Sequence, residues 1–79
     1  MTKVIMYSTP TCVYCKMAEA LFKEKGVEYE KKDVATDLVA RKEMVDKSGQ
    51  LGVPVIDIGG KIVVGFDKKY LMELLGLKN

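Results

Sequence analysis

Histidine and tryptophan are absent from this 79-residue sequence, and cysteine occurs only twice, as Cys12 and Cys15. Two thiols are too few for the disulfide-dense scaffolds of small secreted proteins. Without histidine they also fall short of the four nitrogen or sulfur ligands of a structural zinc site, so zinc would need a second chain or an external ligand. A close cysteine pair in a reducing compartment more often serves redox chemistry.

Long apolar runs and long runs of like charge are also missing. No apolar stretch approaches the roughly 20 residues of a membrane-spanning helix, and the N-terminus shows no apolar signal segment. Thirteen basic and eleven acidic side chains leave a net charge of +2, so nucleic acid is not an expected partner. Because 48% of the residues are hydrophobic, a core is feasible. We expect one cytoplasmic, monomeric domain over residues 1–79.

The first part of the chain predicts a strand, a helix and a second strand. Residues 4–7, VIMY, form a continuous apolar run that is typical of a strand covered on both faces. Hydroxyl side chains around Pro10 precede an amphipathic stretch that Gly26 ends, which predicts a helix over residues 12–25. Residues 27–33 alternate in part and are polar enough to predict an edge strand.

The second part predicts a helix, a hairpin and a last helix. Residues 36–47 favour a helix by composition, although their apolar side chains form no tight stripe. Two β-branched runs around Gly59 and Gly60 predict an antiparallel hairpin, because both loop positions must reach positive φ. Asp67 can cap a helix that ends at Gly76. The apolar positions of that helix are Tyr70, Leu71, Leu74 and Leu75.

This order, βαβαββα, predicts an α/β fold. A strand–helix–strand start requires a right-handed crossover and a parallel strand pair, whereas the hairpin adds an antiparallel pair. We therefore expect a mixed sheet with helices on its faces.

The two cysteines differ in their predicted environments. On a helical wheel Cys12 shares a polar stripe with Lys16 and Glu19, whereas Cys15 borders the apolar sector. We expect Cys12 in the first turn facing water and Cys15 one turn later facing the core. The free N–H groups of the first turn and the nearby Lys16 ammonium favour a negative sulfur, so Cys12 is the predicted nucleophile. Lys16 can alternatively be a solvated partner of Glu19.

Cys15 is the predicted resolving thiol. Residues i and i+3 at a helix start lie about 5 Å apart between Cα atoms, within the range that a disulfide tolerates. A purely structural disulfide is a weaker interpretation because the loop it closes is minimal. Two other classes stay open: a metal or iron–sulfur module in which Cys12 of two chains shares the metal, and an interaction partner whose surface changes with the redox state.

Three stretches of the sequence resemble a known family: YSTPTCVYC at residues 7–15, SGQLGVPVIDIGGK at residues 48–61 and VGFD at residues 64–67. They resemble the glutaredoxin-like branch of the thioredoxin superfamily, and most of all the small YruB-type proteins and the NrdH-redoxins. The resemblance covers essentially the whole chain. It implies a thioredoxin-like fold of the glutaredoxin type, in which an internal first strand belongs to a four-stranded mixed sheet flanked by three helices.

The resemblance also implies roles for individual residues. Cys12 matches the nucleophile of the family, Cys15 the resolving thiol, and Tyr14 the aromatic residue of the active-site tetrapeptide. Val53 and Pro54 match a clamp for the substrate backbone, with a cis peptide bond between them that faces the cysteines. The implied activity is that of a thiol–disulfide oxidoreductase that reduces protein or low-molecular-weight disulfides through a dithiol mechanism.

Cofactor and electron donor follow from the same comparison. No metal or organic prosthetic group is implied beyond the redox-active cysteine pair, with glutathione as a conceivable co-substrate, and the electron donor is either glutathione or a thioredoxin reductase. Asp67 matches the acidic residue that meets the amino end of glutathione in members that use it. Thr9 or Thr11 in place of a lysine, Gly52 in place of a threonine, and Phe66 in place of a small residue argue against tight glutathione binding.

Overall fold

Strands and helices alternate along residues 3–76, which are the residues that the computed structural model describes. The elements are β1 (Val4–Ser8), α1 (Val13–Glu24), β2 (Glu30–Asp33), α2 (Leu38–Ser48), β3 (Val55–Ile58), β4 (Lys61–Val64) and α3 (Lys68–Leu74). The strands form one sheet in the order β2-β1-β3-β4. β1 pairs with β2 in parallel and with β3 antiparallel, and β3 pairs antiparallel with β4. The predicted mixed sheet with an internal first strand is confirmed.

β1 organises the core because each of its five residues is buried. Successive side chains of a strand point to opposite faces, so β1 divides the apolar residues into two clusters. One cluster contains Val4 and Met6 with the buried faces of α1 and α3, and its members include Ala18, Leu21, Phe22, Ile56 and Leu71. The other contains Ile5 and Tyr7 with the buried face of α2, and its members include Val34, Ala40, Met44 and Val55.

α1 follows the prediction closely. Cys12 and Lys25, the outermost residues of the predicted helix, are its N-cap and C-cap residues. Gly26 takes a φ of +66° directly after the helix, a left-handed conformation that glycine adopts at little cost. The buried positions of α1 are Cys15, Ala18, Leu21 and Phe22, as the apolar sector predicted.

β2 is shorter than predicted, because the first residues of the stretch 27–33 cover the end of α1 instead of pairing. The Val27 amide donates to the Phe22 carbonyl at 2.8 Å, and the Tyr29 ring packs on the Phe22 ring with 5.1 Å between centroids. Pairing with β1 therefore begins only at Glu30. The predicted edge position of this strand is confirmed.

α2 begins two residues later than predicted, because Asp37 caps it. The Asp37 carboxylate accepts from the amides of Val39 and Ala40 at 3.0 and 3.1 Å. Only Ala40 and Met44 of α2 are buried, one helical turn apart, so two positions make its contact with this face of the sheet and no longer apolar stripe is needed.

The hairpin and the last helix test the remaining predictions. Gly59 and Gly60 join β3 to β4 with φ values of +58° and +95°, so the predicted hairpin is confirmed. Asp67 caps α3 as predicted. The apolar positions of α3 were predicted incompletely, since Met72 is buried with Leu71 while Tyr70 is exposed. Within residues 3–76, no helix is both long and apolar enough to cross a bilayer.

A charged network ties α2 to three strands around the buried Tyr7. The Tyr7 hydroxyl donates to Glu43 Oε1 at 3.0 Å and accepts from Lys47 Nζ at 2.8 Å. Lys47 Nζ also donates to Asp57 Oδ2 at 2.8 Å, and Lys32 Nζ lies 3.0 Å from Glu43 Oε1. Burial opposes ionisation of Asp57, but the Lys47 ammonium and the Gly60 amide outweigh it, so the pKa of Asp57 is lowered. Its carboxylate is therefore charged throughout the neutral range.

We expect Asp57→Asn to lower the free energy of unfolding by about 1 kcal/mol at neutral pH, because it removes a partly buried ion pair. The folded-state pKa of Asp57 lies below its unfolded value, so the stabilisation is present above the unfolded pKa and is lost as pH falls through the folded one. The wild type should therefore lose more stability on acidification than the variant. Urea unfolding followed by circular dichroism at several pH values measures this.

Asp46→Asn is the matched control, because Asp46 is an exposed carboxylate next to Lys47 on α2. Equal destabilisation by both substitutions, or an unchanged acid dependence in Asp57→Asn, contradicts the stabilising role of the Lys47–Asp57 pair.

Candidate active site

One edge of the sheet gathers the cysteine pair and the Val53–Pro54 segment. Cys12 follows the end of β1, and Pro54 comes directly before β3, whose Val55 is paired with Tyr7 of β1. The peptide bond between Val53 and Pro54 is cis, as the family resemblance implied.

The loop after β4 reaches the same edge. The Gly65 amide donates to the Pro54 carbonyl at 2.8 Å, and Val64 pairs with Val55. Asp67 follows this loop at the start of α3. The topology thus brings three segments that are distant in sequence to one edge.

Cys12 is the N-cap residue of α1, not a residue of its first turn as predicted. Its backbone is extended, with φ −82° and ψ 115°, and its Sγ accepts a hydrogen bond from the Cys15 amide at 3.1 Å. Its own amide donates to the Thr9 carbonyl at 3.3 Å. Cys12 is half-buried instead of fully water-facing. The sulfur occupies the place of a capping oxygen, where free N–H groups stabilise negative charge.

Cys15 lies beneath it on the core-facing side of α1. Its side chain is 1% exposed, and both cysteines are free thiols in this structure. Burial, followed by the hydrogen bond with Cys12, raises the pKa of the Cys15 thiol to about 12. The predicted difference in burial between the two thiols is present, and it keeps Cys15 protonated while Cys12 is reduced.

Tyr14 and Lys16 lie on the solvent side of the first turn. Val13 and Tyr14 are 66% and 60% exposed, so neither belongs to the core. Lys16 is exposed as well, and within residues 3–76 no hydrogen bond or ion pair joins its ammonium to the Cys12 sulfur. Its role in stabilising the thiolate stays a prediction.

The clamp residues are held differently. Pro54 is fully buried, and Val53 is half-buried against the cluster around Tyr7. Just before them, the Gln50 side chain accepts from the Gly52 amide at 2.7 Å and donates to the Gly52 carbonyl at 2.9 Å. A Cβ on Gly52 would lie 2.7 Å from Gln50 Oε1, so a side chain there would displace Gln50. This brace was not foreseen from the sequence.

Asp67 and Phe66 both have structural roles. The Asp67 carboxylate accepts from the Tyr70 amide at 3.1 Å, which makes it the cap of α3. Phe66 is half-buried against the cluster around Phe22. Asp67 is nevertheless exposed at the site edge, so its second carboxylate oxygen can also meet a ligand.

Sequence reasoning missed the partners of Glu19. Its Oε1 accepts from the Tyr29 hydroxyl at 3.0 Å and lies 3.2 Å from Lys31 Nζ. The alternative that paired Glu19 with Lys16 is therefore wrong. The i, i+3 spacing on α1 favoured that pairing, whereas the actual partners come from β2 and the segment before it, which only the fold places beside the helix.

No cluster of three or more potential metal ligands occurs among the side chains of residues 3–76. A metal shared through Cys12 between two chains is a different arrangement, and that alternative stays open.

The fold and the site together define a thioredoxin-like protein. A crystal structure of a variant of the thioredoxin-like protein BC3987 superposes with a TM-score of 0.92 and 31% identity, covering 99% of this chain and 100% of that one. The glutaredoxin Grx-1 from Archaeoglobus fulgidus superposes with a TM-score of 0.85 and 30% identity, covering 95% of this chain and 87% of that one.

Sequence comparison gives the family. The glutaredoxin family model matches residues 4–63, and the chain belongs to the glutaredoxin family. A glutaredoxin-like 8.6 kDa protein of the rubredoxin operon of Clostridium pasteurianum is 44% identical over 70 residues, which are 89% of this chain and 93% of that one. Glutaredoxin 3 of Escherichia coli is 34% identical over 76 residues, which are 96% of this chain and 92% of that one. Family membership supports a thiol-based redox function.

We expect a small alkylating reagent at neutral pH to modify Cys12 at least about tenfold faster than Cys15 in the reduced protein. Cys15 is buried and protonated, and only a thiolate reacts appreciably. Both cysteines lie between Lys3 and Lys16, so fragment-ion mass spectrometry of that peptide locates the label. In the Cys12→Ser protein, alkylation of Cys15 should remain slow. Preferential labelling of Cys15 in the wild type would contradict the assignment.

Proposed function

We propose that this protein is a cytoplasmic thiol–disulfide oxidoreductase that reduces disulfides of proteins through a dithiol mechanism. One observation carries the proposal: Cys12 Sγ caps α1 and accepts the Cys15 amide at 3.1 Å, while the Cys15 thiol lies buried behind it. A two-step exchange needs one accessible sulfur, here the capping Cys12 Sγ, and a second sulfur sheltered beside it, here that of Cys15.

In the first step the Cys12 thiolate attacks one sulfur of a substrate disulfide. A bond forms between Cys12 Sγ and that sulfur, the substrate S–S bond breaks, and the leaving sulfur departs as a thiolate that takes a proton from water. The Cys15 amide at the start of α1 donates to the attacking sulfur at 3.1 Å and so holds it in place at the helix terminus.

In the second step Cys15 releases the substrate. The Cys15 thiol gives up its proton, its sulfur attacks Cys12 Sγ, and a Cys12–Cys15 disulfide forms as the bond between Cys12 and the substrate breaks. The second substrate sulfur leaves as a thiolate and takes up a proton. The substrate has then gained two electrons and the protein has lost two. A donor returns two electrons and two protons to restore both thiols.

The Val53 backbone is suited to hold an extended substrate. No hydrogen bond within residues 3–76 engages the Val53 amide or carbonyl, although β3 pairing begins two residues later. An extended peptide can pair with such free groups as an added strand. This pairing would place the substrate disulfide beside Cys12 at the same edge of the sheet.

Exposed apolar side chains at this edge favour a protein as the reaction partner. We call them the apolar rim, and its members are Val13, Tyr14, Leu51 and Val64. A protein surface can bury such side chains over a wide area, whereas the charged tripeptide glutathione offers little apolar surface. Together with Gly52, whose amide and carbonyl are already occupied by Gln50, the apolar rim favours a flavin-dependent thioredoxin reductase as electron donor.

Cys12→Ser should reduce disulfide reductase activity by at least about a hundredfold, because a hydroxyl is not ionised at neutral pH and cannot replace the thiolate. Cys15→Ser should retain the first step and accumulate a mixed disulfide, which mass spectrometry detects as a covalent adduct on Cys12. Insulin reduction driven by dithiothreitol measures turnover.

Met17→Leu is a control for surface changes on α1, because Met17 is partly exposed and carries no reactive thiol. Full disulfide reductase activity of the Cys12→Ser protein would contradict the proposal.

The electron donor is tested by a coupled assay with NADPH. We expect a higher kcat/KM with thioredoxin reductase than with glutathione and glutathione reductase, and Tyr14→Ser should lower the rate with thioredoxin reductase more than the rate with glutathione. Substituting exposed Tyr70 on α3 by Ser gives the matched loss of an aromatic side chain outside the apolar rim. A preference for glutathione contradicts the donor assignment while leaving the dithiol mechanism intact.

A further inference from the structure

Glu19 is a charged group beside the cysteine pair that the proposed mechanism does not use. It lies one helical turn after Cys15 on α1, and i, i+4 side chains of a helix are neighbours with about 5–6 Å between Cβ atoms. Helix side chains lean towards the N-terminus, so Glu19 leans towards the turn that carries Cys15.

Two groups outside α1 fix the Glu19 carboxylate in place. The Tyr29 hydroxyl donates to it at 3.0 Å, and Lys31 Nζ lies 3.2 Å away. The Tyr29 ring is itself anchored on Phe22 of α1, with 5.1 Å between ring centroids. A carboxylate held from two sides stays beside the helix turn instead of swinging into solvent.

The same partners keep Glu19 charged. Burial opposes its ionisation, but the hydrogen bonds from Lys31 and Tyr29 outweigh it, and the pKa of Glu19 is lowered, with Lys23 of α1 contributing in the same direction. On the thiol side, the charged or titratable groups that act on Cys15 are Cys12 and Glu19. Glu19 is therefore a fixed negative charge next to the turn of the resolving thiol.

We propose that Glu19, fixed by Tyr29 and Lys31, is a positioning residue that restrains Cys15 and so slows the release of the mixed disulfide. The inference rests on the proposed dithiol mechanism. A fixed negative charge disfavours a second negative charge nearby, so fewer Cys15 sulfurs are thiolates at any moment. Since only the thiolate attacks Cys12 Sγ, the lifetime of the mixed disulfide is extended.

A long-lived mixed disulfide has a consequence for substrate choice. A substrate whose own second thiol is slow to attack the mixed disulfide stays bound to Cys12 for longer. The same holds for a substrate that must dock at the apolar rim before its release. Lys31 partly neutralises Glu19, so the carboxylate and the ammonium act on Cys15 with opposite sign. If Glu19 acts through its charge, removing Glu19 and removing Lys31 should therefore change the rate of mixed-disulfide release in opposite directions.

The test is stopped-flow reaction of the reduced protein with 5,5′-dithiobis(2-nitrobenzoate). Attack by Cys12 on the reagent releases one coloured thiolate and leaves the other half of the reagent bonded to Cys12 Sγ. Cys15 then attacks Cys12 Sγ, which releases the second coloured thiolate and forms the protein disulfide. Release therefore occurs in two phases, and the second phase reports Cys15. The Cys15→Ser protein, which has only the first phase, identifies them.

Glu19→Gln should speed the second phase about twofold and leave the first within experimental error. Removing one charge a helical turn away raises the thiolate fraction of Cys15 about threefold or more. The lower nucleophilicity of a more acidic thiol offsets part of this gain. Lys31→Gln should slow the second phase, because Glu19 loses its compensating cation. Glu24→Gln, an equal charge change at an exposed position of α1, should change neither phase.

An unchanged second phase in Glu19→Gln overturns the proposal, and so does acceleration by Lys31→Gln, since a loosened helix would speed both variants alike. The reagent reacts with the thiols whether or not the protein reduces insulin. Failure of the proposed function, seen as absent insulin reduction, is thus distinguishable from failure of this inference, seen in the second phase.

Discussion

The hydrogen bond from the Cys15 amide to Cys12 Sγ joins the fold of this protein to its chemistry. It is a helix cap, and it supplies an acceptor to one of the first N–H groups of α1, which have no partner within the helix. Here the capping acceptor is a sulfur. One contact therefore supplies the acceptor that α1 needs and fixes Cys12 Sγ relative to Cys15, so any change that shifts the start of α1 also moves the two sulfurs relative to each other.

The position of that cap depends on β1, which leads directly into it. Because β1 is buried along its length and paired on both sides, the end of the strand is fixed relative to β3 and to the Val53–Pro54 segment before it. The alternation of side chains along β1 also separates two polar networks. The network around Tyr7 lies on the α2 face, whereas Glu19 and Tyr29 lie beside α1 on the other face. Stability and thiol reactivity can therefore be altered by different residues.

Local signals in the sequence predicted most of the fold. The hairpin at Gly59–Gly60, the cap at Asp67 and the helix over residues 12–25 each depend on chemistry within a few residues, and each is present. The start of β2 was wrong because its cause is tertiary: Tyr29 packs on Phe22 before the chain reaches the sheet. The CxxC pair and its unequal burial were readable from helical periodicity, but the resemblance to a family was needed to bring Val53 and Pro54 to the same place.

The partners of Glu19 show why the rest of the site could not be predicted. Pair spacing on a helix offered Lys16 as an alternative partner for this carboxylate, and such pairs contribute only about 0.2–0.5 kcal/mol, so a better-placed partner easily replaces them. Tyr29 and Lys31 are better placed, because packing on Phe22 and pairing with β1 hold both of them beside α1 without further ordering of the chain. Packing and strand pairing thus determine which charged side chains lie close enough to interact. The environment of Cys15 is therefore determined partly by an edge strand whose own sequence carries no sign of redox chemistry.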